Sequence, residues 1–288
     1  MAPTVFHVPA PKHPVTSLLF MDLLGSKAIW MKEGAQGAAA AFDQFARLIA
    51  SALARNDSGV MSAGVESDSA AVLCKSAVAA TRIGIEVYHQ AFIHSAITRE
   101  RLHRTWIRGV VVPADGVDSV DSLRTTIDRE HEKLSVSTLS PVLLDAIAME
   151  KSGFRGMRLL VDGSLLFRSD RHQLRDDLNC SPLVPVRCLN YSNYPPRMGD
   201  YEDVLWMASC EEEKIVRRRR RMATRMRLAA RDAEEIQQAA ATQVVFDECA
   251  EILESARQRE DRNEKATNAV GGARVKTARK AVKVTKRR

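Results

Sequence analysis

"SLLFMDLLGSKAIW", residues 17–30, is an apolar run that holds a single acidic residue, and its reading decides the fold. Residues 15–24 read as a short central strand, ended by Gly25. Strand side chains alternate between faces. Leu18, Phe20 and Asp22 therefore share one face, and Leu19, Met21 and Leu23 share the other. A carboxylate in a buried strand is costly unless it is hydrogen-bonded, protonated or facing a cation. Asp22 is thus either a structural hydrogen-bonding residue or part of a site.

The pattern on either side of this strand predicts the rest of the sheet. Residues 35–54 read as a helix, because Phe42, Phe45, Leu48, Ile49 and Ala52 recur at three- and four-residue steps. "GVMSAGVESDSAAVLC", residues 59–74, reads as two strands joined at Glu66, Ser67 and Asp68. Residues 75–100 read as a second helix, with Ile83, Val87 and Ala91 along one side. "RTWIRGVVV", residues 104–112, is a β-branched strand stopped by Pro113. Strand, helix, two strands, helix, strand is the split β-α-β order of ferredoxin-like folds. The expected class is therefore α+β. A helix at 141–152 and a strand at 157–162 follow, and residues 163–205 read as irregular.

Glu211 to Glu264 contains no Gly or Pro. Met222, Met226, Ala229, Ala233, Ile236 and Ala240 step along it at heptad spacing. This predicts a long helical extension, packed either on its own domain or as a hairpin or dimer seam. The expected organisation is an extended Pro-rich arm at 1–14, the main folded domain at 15–208, the helical extension at 209–264 and a basic disordered tail at 265–288.

Composition narrows the function classes. The net charge is +7, from 43 Lys and Arg against 36 Asp and Glu. Nine of the basic residues, and no acidic one, lie in 265–288, which leaves 34 basic against 36 acidic residues before the tail. The folded part is near neutral, so specific nucleic-acid binding is not expected, although a basic tail can touch acidic surfaces. A nucleic-acid-binding protein driven by that tail remains a rival reading. Five cysteines without C-x-x-C spacing fit reduced thiols. The segment "MAPTVFHVPAPKHP" has no apolar core of a signal peptide, and no apolar stretch approaches the ~18 residues of a membrane span. The expected location is the cytoplasm, without membrane insertion.

The chemistry centres on Asp22. In the split order the hairpin lies beside the first strand, so Asp68 reaches toward Asp22. Two carboxylates brought together favour a cation between them. Hard divalent ions take oxygen ligands, often one or two carboxylates plus substrate phosphates. The backbone carbonyl beside Asp22, that of Leu23, adds a further ligand. Residue types alone leave two readings open: this cation site, or a hydrogen-bonded Asp22 with a solvated Asp68. The turn after the strand, at Gly25, offers backbone N–H groups to phosphate. Arg108 opens the Gly109 strand as a candidate phosphate or base contact, and Phe20 is placed to pack near a base or in the core. Asp115, Asp118 and Asp121 lack metal-loop spacing and read as a solvated turn.

"VTSLLFMDLLGSKA" resembles the first strand of class III nucleotidyl cyclases, and "GVESDSAAVL" their second metal motif, with Ser67 where Gly is usual. "IRGVVV" resembles their next core strand and "LLDAIAME" the helix after it. The F-x-D-x-L-G-x-K form, with an A-x-x-x-E helix and an R-[LI]-x-[VI]-D strand, most resembles the bacterial pyrimidine cyclases of the Pycsar antiphage system. The resemblance spans roughly residues 15–162. It implies a cyclase sheet with helices on one face, and two divalent ions, Mn²⁺ or Mg²⁺, held by Asp22, Leu23 and Asp68. It further implies a homodimer, and a cyclic product that activates a separate effector protein. Purine cyclases carry a base-reading Lys four residues before the second Asp, where this chain has Gly64. Their helix Asn and Arg align with Leu144 and Ala148. The departures argue against a purine, and Arg108, whose donors suit the two carbonyls of uracil, points to UTP as substrate, with CTP or a non-catalytic nucleotide-binding module as alternatives. Catalytic roles then fall to Asp22, Asp68 and Arg108, with Phe20, Gly25 and Arg108 at the nucleotide.

Overall fold

The computed structural model describes residues 16–97, 105–120, 124–128, 135–150, 156–165, 186–189 and 201–204, with shorter stretches at 173, 206, 220–225, 227, 236–244, 246–247, 250–251, 254, 258 and 262. The expected arm at 1–14 and tail at 265–288 lie outside the described residues.

Strand β1 spans Ser17–Leu23 and helix α1 Ser26–Arg55. They are followed by β2 (Val60–Glu66), β3 (Ser69–Cys74), α2 (Ala77–Ile97) and β4 (Ile107–Pro113). Next come a separate hairpin of β5 (Arg124–Asp128) and β6 (Ser135–Leu139), then α3 (Pro141–Glu150), β7 (Leu159–Asp162), β8 (Val186–Leu189) and β9 (Tyr201–Val204). The main sheet runs β2-β3-β1-β4-β7-β9-β8. Its first four strands pair antiparallel in the split ferredoxin-like order, and β7 joins β4 in parallel. The fold is α+β, as the sequence predicts.

Both faces of β1 are buried, which is why its sequence is an almost continuous apolar run. Leu19, Met21 and Leu23 meet Phe45 and Ile49 of α1 and Ile83 and Val87 of α2. Burying one such side chain contributes about 1.5–3 kcal/mol. On the other face, Leu18 and Phe20 pack with Val110, Leu160 and Leu143 and Ala146 of α3. Helix α3 thus covers the middle of the face opposite α1 and α2, and Asp22, near the end of β1 on that face, is half-buried. Cys74 is buried, and burial pushes its thiol up to about 12, so it stays neutral and inert at physiological pH.

Two elements differ from expectation. Helix α1 begins at Ser26, nine residues before the predicted start, and breaks at Gly34, where φ is 68°. Its first two turns carry Trp30 and Met31, 53% and 75% exposed, so no buried periodicity marks them in the sequence. The stretch read as irregular contains β8 and β9. Each is only four residues long, β8 at the sheet edge and β9 between it and β7, too short to show alternation.

The C-terminal segment folds back on the domain. Residues 220–225 and 236–244 are helical. The Thr224 hydroxyl donates to Gln243 Oε1 at 3.1 Å, and Arg220 Nε pairs with Asp247 Oδ1 at 2.6 Å, so the two segments run antiparallel. The buried residues at 236–246 are Ala239, Thr242, Gln243 and Phe246; of the heptad series, Met222 packs against the core, Ala240 is half-buried and Ile236 is 46% exposed. Met226, Ala229 and Ala233 of that series lie outside the described residues. Docking on the domain selects the face: Phe246 packs on Phe92 with ring centres 4.7 Å apart and on Trp206 at 5.7 Å. Among the described residues no helix is long and apolar enough to cross a membrane.

Candidate active site

The end of β1 gathers three of the residues the sequence singles out. Asp22 pairs with Ser69 of β3 on one side and with Arg108 of β4 on the other. Directly opposed residues of an antiparallel pair place their Cβ atoms about 4.5–5.5 Å apart on the same face. Arg108 therefore rises beside Asp22 within one chain, and both are half-buried. Asp68 sits one residue before Ser69, in the two-residue connection of the β2–β3 hairpin. Its backbone carbonyl accepts from the Leu23 N–H at 2.7 Å, and its Oδ2 accepts from the Ser26 hydroxyl at 2.5 Å. These two bonds hold the Asp68 carboxylate at the turn where α1 begins.

That turn is built on Gly25, which takes φ 80°, a left-handed value that favours glycine. The Leu24 N–H is anchored on the Trp106 carbonyl at 2.8 Å. Helix α1 has no side-chain cap and no acidic residue in its first turn. Its N-terminal amides thus keep the positive end of the helix dipole for an anion. Leu23 is buried in the α1/α2 core and offers only backbone. Phe20, 6% exposed, is taken up by the core under α3. Asp115 and Asp118 are exposed, and Asp121 lies outside the described residues.

Ser67 precedes Asp68 with φ 54°, the one non-glycine with positive φ among the described residues. The first position of a two-residue hairpin turn commonly needs that conformation, which explains why glycine is usual there. Replacing Ser67 with Gly is expected to raise stability by about 1 kcal/mol, by removing left-handed strain. A thermal midpoint equal to or below that of the parent chain would show that the turn carries no such strain.

Gly64 lies on β2 opposite Ala71. A Cβ placed there would meet Val120 Cγ1 at 3.1 Å, and Val120 is held by its N–H to the Ser62 hydroxyl at 2.6 Å. A long side chain cannot start from this position unless Val120 moves. Leu144 is exposed on α3, and the Ala148 side chain lies outside the described residues.

Sequence reasoning missed Ser26, Ser69 and the Ser62–Val120 contact. A small polar residue just after the Gly25 turn is a readable signal for Ser26. The other two depend on pairing that local sequence does not display. Asp22, near the end of β1, and Asp68, in the hairpin turn beside it, suit a hard divalent ion that completes its shell with water and phosphate oxygens. No cluster of three or more His, Cys, Asp or Glu able to hold a metal occurs among the described residues.

No protein-family model and no curated protein matches this chain. Solved structures match it in part. Adenylate cyclases from Trypanosoma brucei in their monomeric state share 16% identity over 67% of this chain and 90% of theirs, with TM-score 0.39. The monomeric guanylyl cyclase domain of the RhoGC fusion protein from the aquatic fungus Blastocladiella emersonii shares 10% over 67% and 95%, with TM-score 0.42. The adenylyl cyclase CyaB from P. aeruginosa shares 14% over 67% and 94%, with TM-score 0.41.

Proposed function

We propose that this chain is a metal-dependent nucleotidyl cyclase that acts on a pyrimidine nucleoside triphosphate, with UTP favoured over CTP. The observation that carries the reading is the register at the end of β1, which sets Asp22 beside Arg108 and next to the Asp68 turn. In the reaction the ribose 3′-hydroxyl attacks the α-phosphate. The bond from that phosphorus to the bridging oxygen breaks, pyrophosphate leaves, and the hydroxyl proton passes to solvent. Asp22, Asp68 and the Leu23 carbonyl would hold two divalent ions, Mg²⁺ or Mn²⁺, which when bound would supply charge stabilisation to the attacking and leaving oxygens. Arg108 supplies a planar fork of donors for phosphate or base. The turn at Gly25 supplies amides for phosphate.

The base choice is supported by Gly64 and Val120, which leave no long donor where a purine would be read. Preference for UTP over CTP depends on Arg108 reaching the base. Its donors match the two carbonyls of uracil and oppose the amino group of cytosine. A homodimer is the expected assembly, since closed two-fold pairing is the commonest arrangement. The product would serve as a cytoplasmic second messenger, read by a separate effector protein in antiphage defence.

Competition among equal concentrations of UTP, CTP, ATP and GTP with Mn²⁺ or Mg²⁺, with products identified by mass, tests this. Cyclic UMP is expected as the main product, with purine products about 5- to 150-fold lower, the cost of an unmatched buried donor or acceptor. Cyclic AMP or GMP as the main product would refute the pyrimidine reading. Cyclic CMP would restrict Arg108 to phosphate, the role its place beside Asp22 fits directly. Triphosphate binding without release of pyrophosphate would refute catalysis altogether.

A further inference from the structure

The C-terminal helical segment touches the domain through directed hydrogen bonds at one loop, residues 156–158, just before β7. The Met157 N–H donates to the Thr242 hydroxyl at 3.1 Å, and the Gly156 N–H donates to Gln238 Oε1 at 3.0 Å. The Met157 carbonyl accepts from Trp206 Nε1 at 2.7 Å. Next along the chain, the Arg158 carbonyl accepts twice, from the Gly109 N–H at 3.1 Å and from the Tyr88 hydroxyl at 2.6 Å. Gly109 is the neighbour of Arg108 on β4.

We infer that Thr242, assisted by Gln238, is a positioning residue for Arg108. The helix at 236–244 fixes loop 156–158, and that loop fixes β4 beside the guanidinium. The consequence for turnover rests on the nucleotidyl cyclase reading; the consequence for strand order does not.

The connection contains little that can yield. Thr242 is 1% exposed, so its hydroxyl has no competing water. A Cβ on Gly156 would lie 2.8 Å from backbone atoms of Ala241 and Thr242, so helix and loop already touch backbone to backbone. A Cβ on Gly109 would lie 3.0 Å from Met21 Cγ and from the Phe20 carbonyl, and 3.2 Å from the Tyr88 hydroxyl, so β4 is pressed against β1 at the residue beside Arg108. Close-packed interiors pass displacement on rather than absorb it. Arg108 and Asp22 are directly opposed, so movement of β4 against β1 alters their spacing first.

The test compares Thr242→Val, which keeps shape and loses the acceptor, with Thr242→Ser, which keeps the hydroxyl. In a folded Thr242→Val protein, kcat should fall about 10- to 100-fold, the sensitivity expected of a sub-ångström to 1 Å displacement at a reacting centre. KM for the triphosphate should change little, and Thr242→Ser should recover most of the loss. Hydrogen–deuterium exchange should quicken in residues 105–112 and stay unchanged in 60–74. An unaltered kcat in Thr242→Val, or equal impairment by Ser and Val, would overturn the inference. If the parent chain forms no cyclic nucleotide, the cyclase reading falls and exchange alone decides: faster exchange in 105–112 supports the strut, and unchanged exchange overturns it. If Thr242→Val does not fold, the half-buried Gln238→Met carries the same measurements with the same two outcomes.

Discussion

Asparagine in place of either Asp22 or Asp68 is expected to reduce formation of cyclic nucleotide about 10³-fold, by removing about 4 kcal/mol of charge stabilisation at the reacting phosphate. The two residues arrive by different routes: Asp22 from the strand itself, and Asp68 from the hairpin turn held by the Leu23 N–H and the Ser26 hydroxyl. Each would give one anionic oxygen to the same pair of ions, so each loss alone should be close to complete and the double variant little worse. Asparagine keeps the shape, and at position 68 its carbonyl oxygen still accepts from Ser26. The thermal midpoint should therefore stay close to that of the parent chain, and calorimetric titration with Mn²⁺ should show weakened binding. Turnover near the parent value in a folded single variant would remove the residue from the site. Unchanged Mn²⁺ binding alongside lost turnover would keep the residue in catalysis but take it out of the metal shell.

The parts of this site legible in the sequence are those set by local pattern. β1 reads as a strand because both of its faces are buried, and Asp22 stands out against that run. The β2–β3 hairpin reads from its turn, and Asp68 with it. Arg108 was legible as a candidate but not as a neighbour of Asp22. Its place follows from the register between β1 and β4, strands far apart in sequence, and a one-residue slip would have sent it to the other face. Strands β8 and β9 left no signal because four residues are too few to show a period, and they gain their extended form from the strands they pair with. The C-terminal helix shows the opposite failure. A heptad of Ala, Met and Ile was visible, yet the face chosen on docking includes Thr242 and Gln243, polar residues that an apolar pattern search passes over.

The packing of that helix supplies the largest expected effect on stability. Gly156 has φ 83° and faces the backbone of Ala241 and Thr242 at distances no Cβ tolerates. Gly156→Ala should cost about 3–5 kcal/mol, of which left-handed strain accounts for about 1–3 and forced separation of loop and helix for most of the rest. Gly116 isolates the first contribution: its φ is 77°, but nothing lies within 4 Å of an added Cβ. Gly116→Ala should therefore cost only about 1 kcal/mol. The difference between the two denaturant midpoints measures how firmly the helix is seated. Two ways of yielding are distinguishable. If the whole domain weakens, the unfolding transition moves as one. If the helix lifts away first, Phe246 leaves Phe92 and Trp206, and the Trp206 emission shifts to the red before β-sheet is lost. Equal costs at Gly156 and Gly116 would mean that the helix gives way without resistance. A helix that gives way so easily could not hold loop 156–158 in place, and the coupling to Arg108 would fail with it.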